Sequence, residues 1–329
     1  MIALFKQKSP ANIILLLIFG MLIKLPVFFT ARNIVATDQD GKLYHYFLSL
    51  FAGGGGNGFT CAFIAFLLLY SQAMMVNYLV NEQRMTTRQT FLPAMSYLLI
   101  TSLLPEWNIL SAPLVAATLI IWAFIRLFRL YNLPIANGPV FNLGLLMGIS
   151  SFIYFPSAAF ACCMILGLLI LRPFRVNDLI LLVLGVLTPY YFYAVYLFLS
   201  DRLLLENLFP QVRLQVPALK RTVWLTVSAV LLAVPFFLGG YYVQVHLRKM
   251  LIQVRKNWAL LLLYLLLALL VPFINTENSF HNWVLVAAPF AAFHASAYLY
   301  PQRRHLPTLL FALTLCYILY QQYGTTMWR

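Results

Sequence analysis

The stretch PANIILLLIFGMLIKLPVFFTARNIVATDQDGKLYHYFLSLF, residues 10–51, contains a long apolar run, a polar interruption and a short amphipathic segment. The run from Pro10 to Phe29 matches the roughly 20 residues that a helix needs to cross a hydrocarbon core of about 30 Å. Hydrocarbon offers no partner to free backbone groups, so only helices and closed barrels span it. The run is continuous, not alternating, which predicts a helix. Similar runs recur along the chain and predict a polytopic membrane protein.

Composition supports this class. The 329 residues are 63% hydrophobic and only 9% charged, which leaves too little polar surface to cover a soluble core of this size. The net charge of +14 would suggest nucleic acid in a soluble protein, but Lys and Arg fall in short connections between apolar runs. That distribution indicates membrane topology, and we expect no nucleic-acid partner.

The predicted fold is an all-α bundle forming a single transmembrane domain over residues 1–329, with about eleven spans. The spans are expected at residues 10–30, 58–80, 89–105, 107–125, 138–155, 157–172, 177–199, 223–244, 258–275, 283–300 and 306–323. With the N-terminus inside and the C-terminus outside, the inner connections carry fourteen Lys and Arg against seven on the outer side. This satisfies the positive-inside rule and predicts a multi-pass protein of the cytoplasmic (inner) membrane.

Three connections stand out in this topology: a first outer loop at residues 31–57, a basic outer loop at 200–222 and a basic cytoplasmic loop at 245–257. Within the first loop, one helical face would carry Leu43, Phe47, Leu50 and Phe51, and the opposite face Lys42, His45 and Ser49. We therefore predict a short amphipathic helix lying in the membrane interface.

Two acids in the first loop, Asp38 and Asp40, are the candidate catalytic residues, because the whole chain has only eight Asp and Glu. A carboxylate there could act as a general base on an acceptor or help to hold a divalent metal, although no motif demands a metal or any other cofactor. The alternative is structural, since Thr37-Asp38-Gln39-Asp40 also fits a helix capping box.

Cations on the predicted outer side are candidates for binding an anion. Lys24 lies inside the first span, where an ionisable side chain is costly and therefore a functional candidate, although its stem could also snorkel to the headgroups. The outer loop departs from the positive-inside trend with Arg202, Arg213, Lys220 and Arg221. A phosphate or pyrophosphate ligand would explain these cations, and so would attraction to anionic lipid headgroups.

A late polar segment, NTENSFHNW at residues 275–283, places Glu277 and His281 just outside the ninth span. These side chains could exchange protons or contact a sugar hydroxyl, and an ordinary polar turn with an interfacial Trp is the alternative. Glu106, in the LPEW turn after the third span, and His45 complete the candidate substrate-binding residues. The four cysteines lie inside apolar runs without metal-ligand spacing and are expected to be small buried hydrophobes.

The order of these features resembles the GT-C class of integral-membrane glycosyltransferases. The segment IKLPVFFTARNIVATDQDGKLYHYF (23–47) is similar to that class's first helix, basic residue, acidic outer loop and interfacial helix. Two further segments, residues 142–193 and 256–300, resemble its glycine-containing helical hairpin and its late polar turn. The layout also resembles bacterial families of multi-pass membrane proteins. Asp-Gln-Asp stands where class members commonly have adjacent acids, and no outer soluble domain is predicted.

The resemblance implies transfer of a sugar from a polyprenyl-phosphate donor to an acceptor on the outer side of the membrane. Lys24, Arg32 and the basic outer loop would then contact phosphate, with Asp38 or Asp40 as base and Glu277 and His281 near the sugar or acceptor. The expected partners are membrane lipid and the lipid-linked sugar. Two alternatives stay open: a non-enzymatic scaffold or assembly component of an envelope complex, and a lipid transporter or flippase.

Overall fold

The structure is a computed structural model that describes residues 2–7, 9–29, 40–52, 58–202, 223–274, 280–301 and 305–324. The described chain folds into thirteen α-helices and has no β-strand, which confirms the all-α prediction. The helices are α1 (Ile2–Phe5), α2 (Ala11–Phe29), α3 (Lys42–Ala52), α4 (Gly58–Glu82), α5 (Leu92–Ser102), α6 (Ala112–Phe128), α7 (Asn137–Ile153), α8 (Phe160–Leu171), α9 (Val176–Leu199), α10 (Val223–Leu247), α11 (Ile252–Leu270), α12 (Ala287–Leu299) and α13 (His305–Leu319).

Five of the described helices are long and apolar enough to cross a membrane: α2, α4, α9, α10 and α11, the last continued to Phe273. The protein is therefore a helical membrane protein. Each predicted span overlaps one helix, but six of these helices are shorter than 18 residues. Three of the shorter helices are continued by tighter or wider turns. Such turns are the 3₁₀ segments Phe155–Ala159 before α8 and His281–Val286 before α12, and the π-turn Tyr320–Gly324 after α13.

Two short helices form the centre of the bundle. All eleven residues of α5 are buried, as are all residues of α12 from Ala287 to Tyr298. These helices pack against each other, and α4 packs on both. A helix that is apolar all round is stable only where every face meets other protein or lipid, and here the faces meet protein. By contrast, α9 and α10 leave most of their apolar side chains exposed, as expected of lipid-facing spans.

Glycines allow two pairs of helices to approach unusually closely. Gly144 of α7 faces Gly185 of α9, where added Cβ atoms at positions 144 and 185 would meet carbonyl oxygens of the other helix at 2.2 and 2.3 Å, and Gly148 lies against Val186 and Pro189 of α9. Gly239 of α10 approaches α12 in the same way. Small residues at such spacing are typical of membrane helix pairs, where close backbone packing replaces the hydrophobic driving force.

The bundle has two ends, named here by one residue each. At the Lys24 end, α2 ends and α6 begins. At the Arg172 end, Arg172 and Asp178 form a buried ion pair with Nε and Oδ2 3.0 Å apart, and Arg175 Nη1 donates to the carbonyl of Pro134 over 2.7 Å. These contacts join the α8–α9 turn to the α6–α7 connection.

The environment of two cysteines differs from the prediction. Cys61 and Cys163 are buried, but Cys162 and Cys316 are exposed on the surfaces of α8 and α13. An apolar run cannot show which of its faces is turned towards lipid, and a thiol is tolerated on either side.

Candidate functional site

The 105–110 turn, PEWNIL, joins α5 to α6 and contacts three other parts of the chain. Its first residues form the 3₁₀ helix Pro105–Asn108, with proline at the first helical positions, and Ile109 returns the backbone to an extended conformation. The turn lies at the Lys24 end, where it meets side chains or backbone from α2, α3 and the start of the His281–Val286 segment.

Lys24 is turned into this part of the protein and does not extend to the surface. Its side chain is only 2% exposed, and Nζ donates to Thr101 Oγ1 over 3.0 Å and to Asn108 Oδ1. Snorkelling, one of the two alternatives from the sequence, is therefore wrong. Within the part of the chain that the structure describes, no carboxylate pairs with this ammonium.

Asn108 and Thr101 are site residues that the sequence did not single out. Thr101 Oγ1 donates to the carbonyls of Tyr97 and Leu98, so its lone pairs are free to accept from Lys24. Asn108 is also 2% exposed, and its Nδ2 has no hydrogen-bond partner among the described residues. The one sequence feature that could have indicated them is a polar side chain, the Thr101 hydroxyl or the Asn108 amide, beside an otherwise apolar run.

A second buried polar cluster lies one turn before Thr101 on α5. Tyr97 donates its hydroxyl to Gln72 Oε1 over 2.6 Å, and Gln72 Nε2 donates to the carbonyl of Leu114 over 2.7 Å and to Thr118 Oγ1 over 2.8 Å. The cluster links α4, α5 and α6. Buried polar groups must find partners, so this cluster fixes how the three helices sit at the Lys24 end.

The first loop reaches the same region through α3. Gly41 donates its N–H to the carbonyl of Ile153 at the end of α7 over 3.0 Å, and a Cβ at Gly41 would meet the carbonyl of Phe152 at 1.9 Å. Asp40 is therefore held beside α7. It also lies close enough for its negative charge to oppose ionisation of the Tyr44 hydroxyl. Tyr44 donates to the carbonyl of Leu110 over 3.2 Å. Burial, and then the charge of Asp40, raise the pKa of the Tyr44 hydroxyl.

The structure adds a buried face to the two faces predicted for α3. Tyr44 and Leu48 are buried against the protein, while Leu43 and Leu50, expected on the apolar face that rests in the membrane interface, are 44% and 62% exposed. The opposite face is polar as predicted: Lys42 and His45 are exposed, and Lys42 Nζ bonds Tyr193 Oη and lies 4.9 Å from that ring's centroid. Half of the apolar stripe packs on protein, and half is left for lipid.

Glu106 and His281 are brought together, but their visible roles are structural. The Glu106 carboxylate accepts from the backbone N–H of Phe280, and the Glu106 carbonyl accepts from His281 Nδ1 over 2.8 Å. Trp107 Nε1 donates to the carbonyl of Phe280 over 2.9 Å. Because a carbonyl can only accept, the proton of His281 in this contact sits on Nδ1, which leaves Nε2 to meet a ligand.

The other candidate residues fall into two groups. Arg202 follows the end of α9, where its N–H donates to the carbonyl of Leu197 over 3.0 Å. Six others lie outside the described residues: Arg32, Asp38, Arg213, Lys220, Arg221 and Glu277. The described residues contain no group of three or more His, Cys, Asp or Glu that could hold a metal ion.

Fold and site together define a helical integral-membrane protein with a buried, hydrogen-bonded lysine at one end of its bundle. Comparisons with protein-family models, curated proteins and solved structures give no match for this chain.

Proposed function

We propose that this protein is a membrane glycosyltransferase of GT-C type, which transfers a sugar from a polyprenyl-phosphate donor to an acceptor at the Lys24 end. The observation that supports the proposal is the convergence of three separate segments on the 105–110 turn. Lys24 at the end of the first span, the start of α3 beside Asp40, and His281 of the late polar segment all contact it or its neighbours. These are the segments in which the sequence resembles the class.

The chemistry assigned to this site is a displacement at the anomeric carbon of the sugar. The bond from that carbon to the phosphate oxygen breaks, and a bond to the acceptor oxygen forms. The acceptor proton passes to Asp38 or Asp40 as general base, and the lipid leaves as polyprenyl phosphate. Lys24, Arg32 and the basic 200–222 loop would stabilise the negative charge on the leaving phosphate.

The proposed orientation places the Lys24 end on the outer side of the cytoplasmic membrane, with eleven spans. Basic residues that the sequence assigns to the inner side make their contacts at the opposite end: Arg129 with Tyr78, and Arg175 with Pro134. This separation supports the positive-inside assignment.

The non-enzymatic scaffold is the second candidate, and one observation favours it. The hydrogen bonds of Glu106 and His281 hold the 105–110 turn against the Phe280–His281 segment. A scaffold needs such contacts and no reacting groups, so the acids of the first loop decide between the two functions.

The deciding experiment changes Asp38→Asn and Asp40→Asn, singly and together, and measures release of polyprenyl phosphate from radiolabelled polyprenyl-phosphate sugars by membranes containing the protein. We expect at least one single variant and the double variant to lose release at normal protein level. Glu82→Gln is the matched control, because this exposed carboxylate pairs with Arg129 at the opposite end. Wild-type release by all three Asp variants would reject the catalytic role.

A further inference from the structure

We propose that the Arg172 end carries a binding surface for an anionic phospholipid, with the phosphate at the start of α9 and the acyl chains along the exposed side of that helix. The surface consists of residues 133–135 of the α6–α7 connection and residues 174–177 around the first turn of α9, and it is called the Arg175 surface below. It lies at the opposite end of the bundle from Lys24, so the proposal does not depend on the glycosyltransferase function.

A hydrogen bond holds the two segments of the Arg175 surface together. Arg175 Nη1 donates to the carbonyl of Pro134 over 2.7 Å, while the Arg175 side chain stays exposed. A guanidinium has five N–H groups, so this contact fixes its position and leaves donors for a ligand. Among the described residues, no carboxylate forms an ion pair with Arg175. The surface therefore presents a positioned positive charge.

The start of α9 adds a second attraction for an anion. The helix has 24 residues, and its N-cap residue, Arg175, makes no side-chain cap hydrogen bond. The first N–H groups of a helix have no partner within the helix, and the helix dipole places partial positive charge there. Asn177, in this first turn, is exposed and uncharged. A phosphate at this position would accept hydrogen bonds from the backbone as well as from Arg175.

A buried guanidinium behind the surface gives independent support. Arg172 is only 5% exposed, and its Nε lies 3.0 Å from Oδ2 of Asp178 in the first turn of α9. Arg172 Nη1, by contrast, has no hydrogen-bond partner among the described residues. The ion pair holds the guanidinium against the start of α9 and balances the charge of Asp178. Because a buried N–H group without an acceptor is costly, an anion at the start of α9 would be stabilised by Arg172.

Exposed apolar side chains favour a lipid over a soluble anion. Ile135 follows Pro134 and Phe174 precedes Arg175, and these apolar side chains are 79% and 67% exposed. A phospholipid needs both a positive charge for its phosphate and an apolar surface for its acyl chains. A soluble acidic protein would meet the cations and leave the apolar side chains uncovered. The apolar surface continues along α9 at helical spacing through Val176, Ile180, Leu184 and Leu187, all exposed.

The binding experiment uses the full chain in maltoside micelles, which contain no phosphate, and measures bound lipid by native mass spectrometry. The probes are dioleoyl phosphatidylglycerol, dioleoyl phosphatidylcholine and glycerol 3-phosphate. We expect phosphatidylglycerol to bind at concentrations where the other two do not. Equal binding of phosphatidylcholine would mean that acyl chains suffice, and equal binding of glycerol 3-phosphate would mean that no lipid is required. Either result, or no binding of phosphatidylglycerol, overturns the proposal.

Two variants test the residues of the surface. Arg175→Gln removes the positive charge beside Pro134. Asn177→Asp adds a carboxylate to the first turn of α9, where the helix dipole stabilises it, so the fold is retained while phosphate is repelled. We expect each variant to bind phosphatidylglycerol about fivefold more weakly, which is the effect of one charge at an anionic lipid surface.

Arg248→Gln is the matched control, because Arg248 is an exposed cation in the turn between α10 and α11, away from the Arg175 surface. It should bind phosphatidylglycerol as the wild type does. The thermal unfolding midpoint without lipid separates lost binding from lost folding, and Asn177→Asp should unfold at or above the wild-type midpoint. Wild-type affinity in Asn177→Asp, or the same loss of affinity in Arg248→Gln, would contradict the proposal.

Discussion

The closest helix contact at a glycine gives a sharp test of the fold, because an uncontacted glycine lies next to it. A Cβ added at Gly239 of α10 would stand 1.9 Å from the carbonyl oxygen of Phe293 in α12, whereas one added at Gly240 would meet no atom within 4 Å. Both positions lie inside the same helix, so Gly→Ala raises helix propensity equally at each, by about 1 kcal/mol.

The size of the effect follows from the geometry. To restore an ordinary contact of 3.4 Å, α10 must move by about 1.5 Å away from a buried helix that cannot yield. Overpacking of this kind costs about 1–3 kcal/mol, so we expect Gly239→Ala to be less stable than Gly240→Ala by that amount. The displacement should also loosen the chain before the 105–110 turn, because Ser228 of α10 donates to the carbonyl of Leu103 over 3.1 Å.

Reversible unfolding in mixed micelles, followed by tryptophan fluorescence, measures this difference. Trp258 packs on Phe293 with ring centroids 4.9 Å apart, so it reports on the region that must move. Equal unfolding free energies for Gly239→Ala and Gly240→Ala would refute the close approach of α10 and α12.

Three further predictions concern the Lys24 end. Gly41→Ala should displace α3 and reduce the proposed sugar transfer, while Gly138→Ala, where a Cβ meets nothing within 4 Å, should match the wild type in the same assay. Gln72→Leu combined with Tyr97→Phe in a double-mutant cycle of unfolding free energies should show a coupling of about 0.6–1.7 kcal/mol, and a coupling near zero would contradict their hydrogen bond. The raised pKa of Tyr44 means that the unfolded chain releases this proton first, so stability should fall as pH rises above 10.0. In Tyr44→Phe the free energy of unfolding should fall less steeply with pH. The same pH dependence in the variant and the wild type would contradict the raised pKa of Tyr44.

Much of the secondary structure was predictable from the sequence, because each span is encoded by its own apolar run. The boundaries of α2 and α4 fall within two residues of the predicted ones. The end of α5 at Ser102 was harder to predict, because apolar side chains continue past it while the backbone changes direction at Pro105. Hydropathy reports the environment of side chains and not the path of the backbone.

Only part of the candidate site could be predicted. A lysine inside an apolar run and acids beside it mark a segment, but they do not show which way Lys24 turns. Its partners, Thr101 and Asn108, lie 77 and 84 residues away along the chain. Asn108 does not stand out in the sequence, because its role depends on the hydrogen bond that it accepts from Lys24.

The sequence by itself determined that this chain forms helices in a membrane, because backbone groups in hydrocarbon must make their hydrogen bonds within each segment. The sequence also predicted that most basic residues lie in connections on the inner side of the membrane. Tertiary structure decided that Lys24 turns inward, that the 105–110 turn is the meeting point of three segments, and that Tyr44 and Leu48 form the buried face of α3. Those outcomes depend on which helices pack together, and close packing is fixed by contacts between residues far apart in the chain.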